Sequence, residues 1–253
     1  MLVDQEEFRI IGETPDLLVV DKPAGLLVHP SKPDGTRTLW DGLRELLCYE
    51  IANAGQVSLI NRLDRETSGL VLVAKNASAA RQAAIAMQEG KIKKTYLTIL
   101  CGHPVQEFFS IDAPIIRQGE VGPTEIHLKR MVHPTGANAK TNFRVFKKFE
   151  NELGCFSLAE AQPVTGRTHQ IRVHASYAGF PVVGDKIYGP SEACYLEFIE
   201  TGWTHALEKR LILKRHALHS AGIKFEWSSL PMEWKTGWPE DLKNFAGNLD
   251  MVS

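Results

Sequence analysis

Residues 61–75 read Asn61-Arg62-Leu63-Asp64-Arg65-Glu66-Thr67-Ser68-Gly69-Leu70-Val71-Leu72-Val73-Ala74-Lys75. A dense polar cluster runs straight into an apolar run bounded by Gly69 and Lys75. That run is short and partly β-branched, so it reads as a buried strand. A helix follows, opening at Asn76 and closing at Gly90, with Ala80, Ala84 and Met87 recurring on one face and Asn and Gly as expected caps. Upstream, Leu17-Leu18-Val19-Val20 is a second buried strand, ended by the turn signal Lys22-Pro23-Ala24-Gly25. Thr38 with Asp41 makes a capping-box-like start to a helix whose Leu39, Leu43, Leu46 and Leu47 share one face. Downstream the chain turns strand-rich as far as about Pro163, with β-branched or aromatic runs at 93–102, 140–149 and 155–164 broken by Gly and Pro. A short helix then starts near Thr168, with Ile171, Ala175 and Ala178 apolar, and ends at Gly179. Helical pattern returns at 191–201, a strand at about 217–227, and a last helix from Pro239. Strands dominate the middle and helices are inserted irregularly, which predicts an α+β fold with a mixed sheet rather than regular βαβ alternation.

The chain has 253 residues, 43% of them hydrophobic and 23% charged, with 20 Gly and 13 Pro, a globular composition rather than a disordered or collagen-like one. No apolar run approaches the roughly 20 residues needed to span a bilayer. The opening Met1–Ile10 is acidic early and lacks the basic-then-apolar order of a signal peptide. Cys48, Cys101, Cys155 and Cys194 lie far apart with no C-x-x-C, against a zinc ribbon, a redox pair or a secreted disulfide framework. A soluble cytoplasmic protein is the expectation. Net charge is −1, which argues against a basic nucleic-acid coat but permits a local basic site. Residues 62–94 supply one, with seven Lys or Arg against three Asp or Glu.

Asp64 has Arg62 two residues before it and Arg65 directly after it. Nearby positive charge favours an ionised carboxylate, the state a nucleophile or general base requires. The same spacing suits a loop in which Asp64 pairs with an arginine for structure. A second cluster is Thr165-Gly166-Arg167-Thr168-His169-Gln170-Ile171-Arg172, with Thr168 as N-cap and His169 and Arg172 on the polar side of a helix. Its backbone N–H groups and Arg167 would suit a phosphate. His169 and His174 do not converge on one face, and His216 and His219 enter a strand, so structural histidines are expected rather than metal ligands. Tyr96 reads as a strand tyrosine and Asp185 as a turn residue. Phosphate-loop, dinucleotide, nucleophile-elbow and zincin signatures do not occur in the sequence.

Five segments in order resemble the RluA-like pseudouridine synthases. They are Val19–Pro30, Arg62–Leu70, Lys94–Leu97, Gly166–His174 with Gly179–Gly189, and Arg215–His219. The resemblance covers about 16–245 and implies a single catalytic domain over 1–253. That domain would have a mixed, mainly antiparallel central sheet flanked by helices and loops, with no separate N-terminal RNA-binding domain. It implies an isomerase that converts a uridine within RNA to pseudouridine, needing no cofactor, nucleotide or metal. By position Asp64 matches the catalytic aspartate and Tyr96 the tyrosine that stacks on the base. Arg172 matches the arginine that pairs with the aspartate, Leu218 the apolar residue beneath the uracil, and Arg62 the arginine that fills the gap left by the flipped nucleotide. Lys91, Lys93, Lys94 and Arg167 would grip phosphates, and Arg65, His169 and Gln170 complete the RNA-contacting set. Asn61 stands where the family commonly has histidine, so a local adjustment of the loop is expected. The partner implied is a stem-loop of ribosomal RNA or tRNA, bound by a monomer away from any membrane. The competing readings are a catalytically silent RNA-binding module and a carboxylate glycosidase acting on small nucleosides.

Overall fold

The computed structural model describes residues 8–30 and 35–247; the acidic opening of the chain lies almost wholly outside them. In chain order the first elements are β1 (Arg9–Glu13), β2 (Leu17–Lys22), α1 (Leu39–Leu46), α2 (Cys48–Ala52), β3 (Ser58–Leu59), β4 (Ser68–Ala74) and α3 (Ala77–Gln88). Then come β5 (Lys93–Cys101), β6 (Phe108–Asp112), β7 (Ile115–Arg117), β8 (Arg130–Val132), β9 (Lys140–Asn151) and β10 (Gly154–Pro163). The last are α4 (Gln170–Tyr177), α5 (Ala193–Thr201), α6 (His205–Leu211), β11 (Leu218–Trp227), β12 (Leu230–Lys235) and α7 (Glu240–Phe245). They gather into two compact units, Met1–Lys94 with His219–Ser253, and Thr95–Leu218. The chain passes from one to the other inside β5 and back inside β11. A strand interior needs the same β-forming residues on both sides of such a point, so no linker composition marks either passage.

In the first unit β4 lies between antiparallel β2 and parallel β11, the latter in register through His219↔Ser68 and Ser220↔Gly69. β1 adds to β2, β3 to β4 and β12 to β11, all antiparallel. β2 and β4 are buried along their whole length. This is why their apolar runs do not alternate: both faces are covered. Leu17, Val19, Leu70, Leu72 and Ala74 form one core with Ile223 and Phe225 from β11. Gly69 has φ +110°, and a Cβ there would lie 2.2 Å from the Ser220 carbonyl oxygen, so the close approach of β4 to β11 requires glycine. α1 begins as expected: the Asp41 carboxylate accepts from the Thr38 N–H at 2.9 Å and from its hydroxyl at 2.7 Å. α3 starts at its Asn76 cap, but its buried residues are Ala79 and Ala83, with Ala80 and Met87 only partly covered. In an alanine-rich helix neighbouring stripes differ little in bulk, so spacing alone does not set which faces the sheet.

In the second unit β5, β10, β9 and β6 form a consecutive antiparallel array. Tyr96 stands opposite Ala161 in it. β7 and β8 form a separate two-stranded ribbon. Ile115, Ile126 and Ala139 pack with Val173 of α4 and with Ile187 and Tyr188. Pairings within the two units are therefore mainly antiparallel with a parallel exception, the mixed α+β arrangement expected. Among the described residues no helix is long and apolar enough to cross a membrane.

Candidate catalytic and RNA-contacting residues

The polar cluster ahead of β4 forms a turn, closed by the Thr67 N–H donating to the Asp64 carbonyl at 3.1 Å. Backbone clamps fix it from below. The Gly25 N–H donates to the Arg65 carbonyl at 2.8 Å, and Arg65 Nε returns a bond to the Gly25 carbonyl at 3.1 Å. Lys22, with no exposed surface, points its ammonium at the carbonyls of Pro23 (2.8 Å), Leu26 (2.9 Å) and Arg65 (3.2 Å). A buried ammonium needs such oxygens around it. The Lys22–Gly25 turn is thus the floor on which the Asp64 turn rests. A charged residue ending an apolar strand was the available signal for Lys22, and the sequence reading used it only as punctuation.

Asn61 shows how the expected loop adjustment is made. β3 stops at Leu59, and the Asn61 side chain continues its pairing: Nδ2 donates to the Leu70 carbonyl at 3.2 Å, and Oδ1 accepts the Leu72 N–H at 2.8 Å. Arg62 and Arg65 are exposed, Leu63 is buried and Asp64 half-buried. The turn therefore carries its two arginines at the surface while its backbone is held. Burial, and then the Arg62 charge, lower the pKa of His29 in the same unit. Lys94 is buried, and burial lowers its pKa. Lys93 is exposed; Lys91 is too, but pairs with Glu89 at 2.6 Å.

In the second unit Arg172 is buried on α4 and fixed in two places by Asp185, Nε to Oδ2 at 2.6 Å and Nη2 to Oδ1 at 2.8 Å. Asp185 has no exposed surface and also accepts the N–H groups of Ile187 and Tyr188 at 3.0 Å each. Burial alone would raise its pKa; the charge and hydrogen bonds of Arg172 prevail and hold it well below the usual carboxylate range. The resemblance pairs Arg172 with Asp64; within its own unit, the carboxylate that orients the guanidinium is Asp185. A charge set among Val182, Val183, Ile187 and Tyr188 had to be buried and partnered, which the reading of Asp185 as a simple turn residue missed.

α4 does not have the polar face expected, since Gln170 through Ala175 are all buried. Its N-cap is His169, in the left-handed region at φ 58°, rather than Thr168. The Tyr188 hydroxyl accepts the Arg130 N–H at 2.9 Å and shares a hydrogen bond with His169 Nδ1 at 2.8 Å. Gln170 is engaged at both ends of its amide. Its Oε1 accepts from the Thr165 hydroxyl at 2.6 Å and the Arg167 N–H at 3.0 Å, while Nε2 donates to the Lys140 carbonyl and Thr141 Oγ1. Both ends of the amide are bonded within its own unit, so it braces the loop before α4. His174 is a structural histidine: Nε2 donates to the Ala113 carbonyl and Nδ1 accepts from Thr141, each at 2.9 Å. His219 bonds Ser68 through Nδ1 at 2.8 Å. Tyr96 and Leu218 are buried, and Arg167 is exposed with Nε on the Asn138 carbonyl at 3.1 Å. Among the described residues one group has metal-ligand proximity, His103, Glu150 and Cys155, with one donor atom each within 4.8 Å of the others. The Glu150 hydrogen bond raises the Cys155 pKa, so this is a protonated thiol on a carboxylate.

Comparison with known proteins decides the family. Residues 16–177 match the RNA pseudouridylate synthase family, and both the Asp64 turn and the Arg167–Arg172 segment fall within that span. The chain belongs to the RNA pseudouridylate synthases. It is 34% identical over 241 residues to the ribosomal large subunit pseudouridine synthase C of Vibrio parahaemolyticus, covering 92% of this chain and 68% of that protein. It is 32% identical to the uncharacterized RNA pseudouridine synthase YlyB of Bacillus subtilis, covering 98% of this chain and 75% of the other. Among solved structures, the human RNA pseudouridylate synthase domain containing 1 aligns with TM-score 0.68 and 26% identity, over 94% of this chain and 86% of that one. As a pseudouridine synthase the protein is an isomerase with RNA as its substrate.

Proposed function

We propose that this synthase isomerises a uridine of ribosomal RNA, with Asp64 as the catalytic carboxylate. The observation that carries the reading is the clamped turn: Lys22, Gly25 and Asn61 hold the backbone around Asp64 while its flanking arginines stay exposed. A base within stacked RNA is out of reach of a carboxylate, so the nucleotide must be flipped, at a cost of a few kcal/mol. Arg62 occupies the vacated stack and offsets part of that cost. Asp64 acts at the ribose; the bond from N1 to C1′ breaks, the uracil turns, and C5 joins C1′. N1 gains a proton and C5 loses one, so product and substrate are isomers. Tyr96 stacks on the base, Leu218 lies beneath it, and Arg172 positions the carboxylate. Arg65, Lys93, Arg167 and His169 contact the RNA backbone, adding salt-dependent affinity without sequence information. Ribosomal RNA is preferred over tRNA because the relative from Vibrio parahaemolyticus is named for the large ribosomal subunit. The enzyme works as a cytoplasmic monomer on a compact stem-loop.

The test incubates the protein with RNA from a strain lacking the gene and maps pseudouridine by carbodiimide chemistry. Wild type is expected to modify ribosomal RNA, and Asp64→Asn to lose roughly 10²–10⁴-fold in rate while still binding RNA. Undiminished modification by Asp64→Asn would remove the role given to Asp64. Modification confined to tRNA would overturn the substrate, and release of free uracil from uridine would favour a nucleosidase.

A further inference from the structure

The β7–β8 ribbon sets two like charges against each other. Arg117 and Arg130 are directly opposite in its antiparallel register, so their side chains leave the same face. Such a pair is destabilising unless something negative lies between or beside the two. Both line a cavity of about 290 Å³, together with Arg167 from the loop before α4 and the backbone at Gly136. Among the described residues none of the three arginines has a carboxylate within ion-pair distance (4.0 Å). Glu120 also lines the cavity, which leaves an excess of positive charge.

The cavity is organised rather than floppy. Arg117 Nε donates to the His127 carbonyl at 2.7 Å and Arg167 Nε to the Asn138 carbonyl at 3.1 Å, so each guanidinium is anchored by one nitrogen. The wall is tied by reciprocal bonds between Ile115 and Ala137, both 2.9 Å. Gly136 permits that closeness, because a Cβ there would lie 2.6 Å from the Ile115 carbonyl carbon. Arg130 differs from its neighbours. Its Nε is sealed from solvent and has no hydrogen-bond partner, an expensive state for a charged donor. Three guanidiniums with no carboxylate in ion-pair reach and a volume at the small end of ligand pockets suit one phosphodiester rather than a cofactor.

We propose that this pocket binds a single backbone phosphate of the RNA substrate, held by Arg117, Arg130 and Arg167. The proposal rests on the reading of the protein as an enzyme of ribosomal RNA. It is tested with ribosomal RNA and with inorganic phosphate as separate probes. In wild-type protein both are expected to shift the Arg130 Nε–H signal in a nitrogen-15 spectrum, with RNA displacing phosphate. Arg130→Met is expected to reduce the slope of log affinity against log salt by about 0.7–0.9, the value for one phosphate contact. Arg130→Lys, which keeps the charge and loses the fork, separates phosphate recognition from net charge: it should retain the slope while binding more weakly. An Nε signal that moves with neither probe, or a slope unchanged in Arg130→Met, overturns the proposal. A signal that moves with phosphate and is indifferent to RNA makes this a free-anion site and overturns it too. If wild type forms no pseudouridine on any RNA while Arg130→Met still lowers the slope, the functional reading fails and the pocket stands.

Discussion

The Asp64 turn and the Arg172–Asp185 pair are both built from an aspartate and arginines, yet the fold treats them in opposite ways. Around Asp64 the structure spends its hydrogen bonds on backbone: Lys22 gathers three carbonyls, Gly25 and Arg65 bond twice, and Asn61 replaces a strand rung. The flanking guanidiniums are left at the surface. At Asp185 the side chain itself is consumed, with two bonds from Arg172 and two from backbone N–H groups. A turn held through its backbone can carry its two guanidiniums at the surface. A buried carboxylate with every lone pair engaged serves the fold and the orientation of its arginine.

That contrast can be broken most easily at Asp185. Asp185→Ala strands a buried guanidinium, and the expected loss is about 3–5 kcal/mol in a denaturant titration; a loss below 1 kcal/mol would mean the pair is not structural. Lys22→Met comes next. It leaves buried carbonyls without their charged donor and should cost about 2–3 kcal/mol. It should also slow pseudouridine formation, because the floor of the Asp64 turn is loosened; full activity in this variant would separate the clamp from catalysis. Asn61→Ala exposes the loss of two rungs to β4, with about 1–2 kcal/mol expected from the melting curve.

The smallest effect sharpens the comparison through pH. Burial lowers the His174 pKa, outweighing the bond to the Ala113 carbonyl and the Asp112 charge that raise it. The folded state therefore binds a proton less readily than the unfolded chain. Stability is full above the unfolded pKa, about 6.5, and falls as acid carries the solution through that value towards the folded one. His174→Gln should flatten the stability–pH curve over that interval.

Much of this was legible in the chain. Non-alternating apolar runs identified β2 and β4, Asn76 and Thr38 marked helix starts, and β5, β9, β10 and β11 were apparent from their β-branched and aromatic content. The short strands β1, β3, β6, β7, β8 and β12 were not read. β3, β7 and β8 are two or three residues long and carry no period, while β1, β6 and β12 are five or six residues with no buried position to mark them. The division into two units was invisible because both passages lie within strands. At the site, the residue types pointed to Asp64, but the roles of Lys22, Gln170 and Asp185 depend on which oxygens surround them. Lys94 and Gln170 look like RNA contacts by type and are buried by tertiary packing. The opposed pair Arg117 and Arg130 needs the register of β7 and β8, and the twelve residues between them conceal it.

The central claim is the proposed one, that Asp64 is the catalytic carboxylate, on a turn whose backbone Lys22, Gly25 and Asn61 clamp. The direct measurement is the rate of pseudouridine formation in ribosomal RNA by Asp64→Asn, taken beside its melting temperature. Loss of the reaction with a melting temperature within about 2 °C of wild type, under 1 kcal/mol for a chain of this size, is the expected result. A variant that still isomerises at the wild-type rate, or that unfolds as Asp185→Ala should, would contradict it.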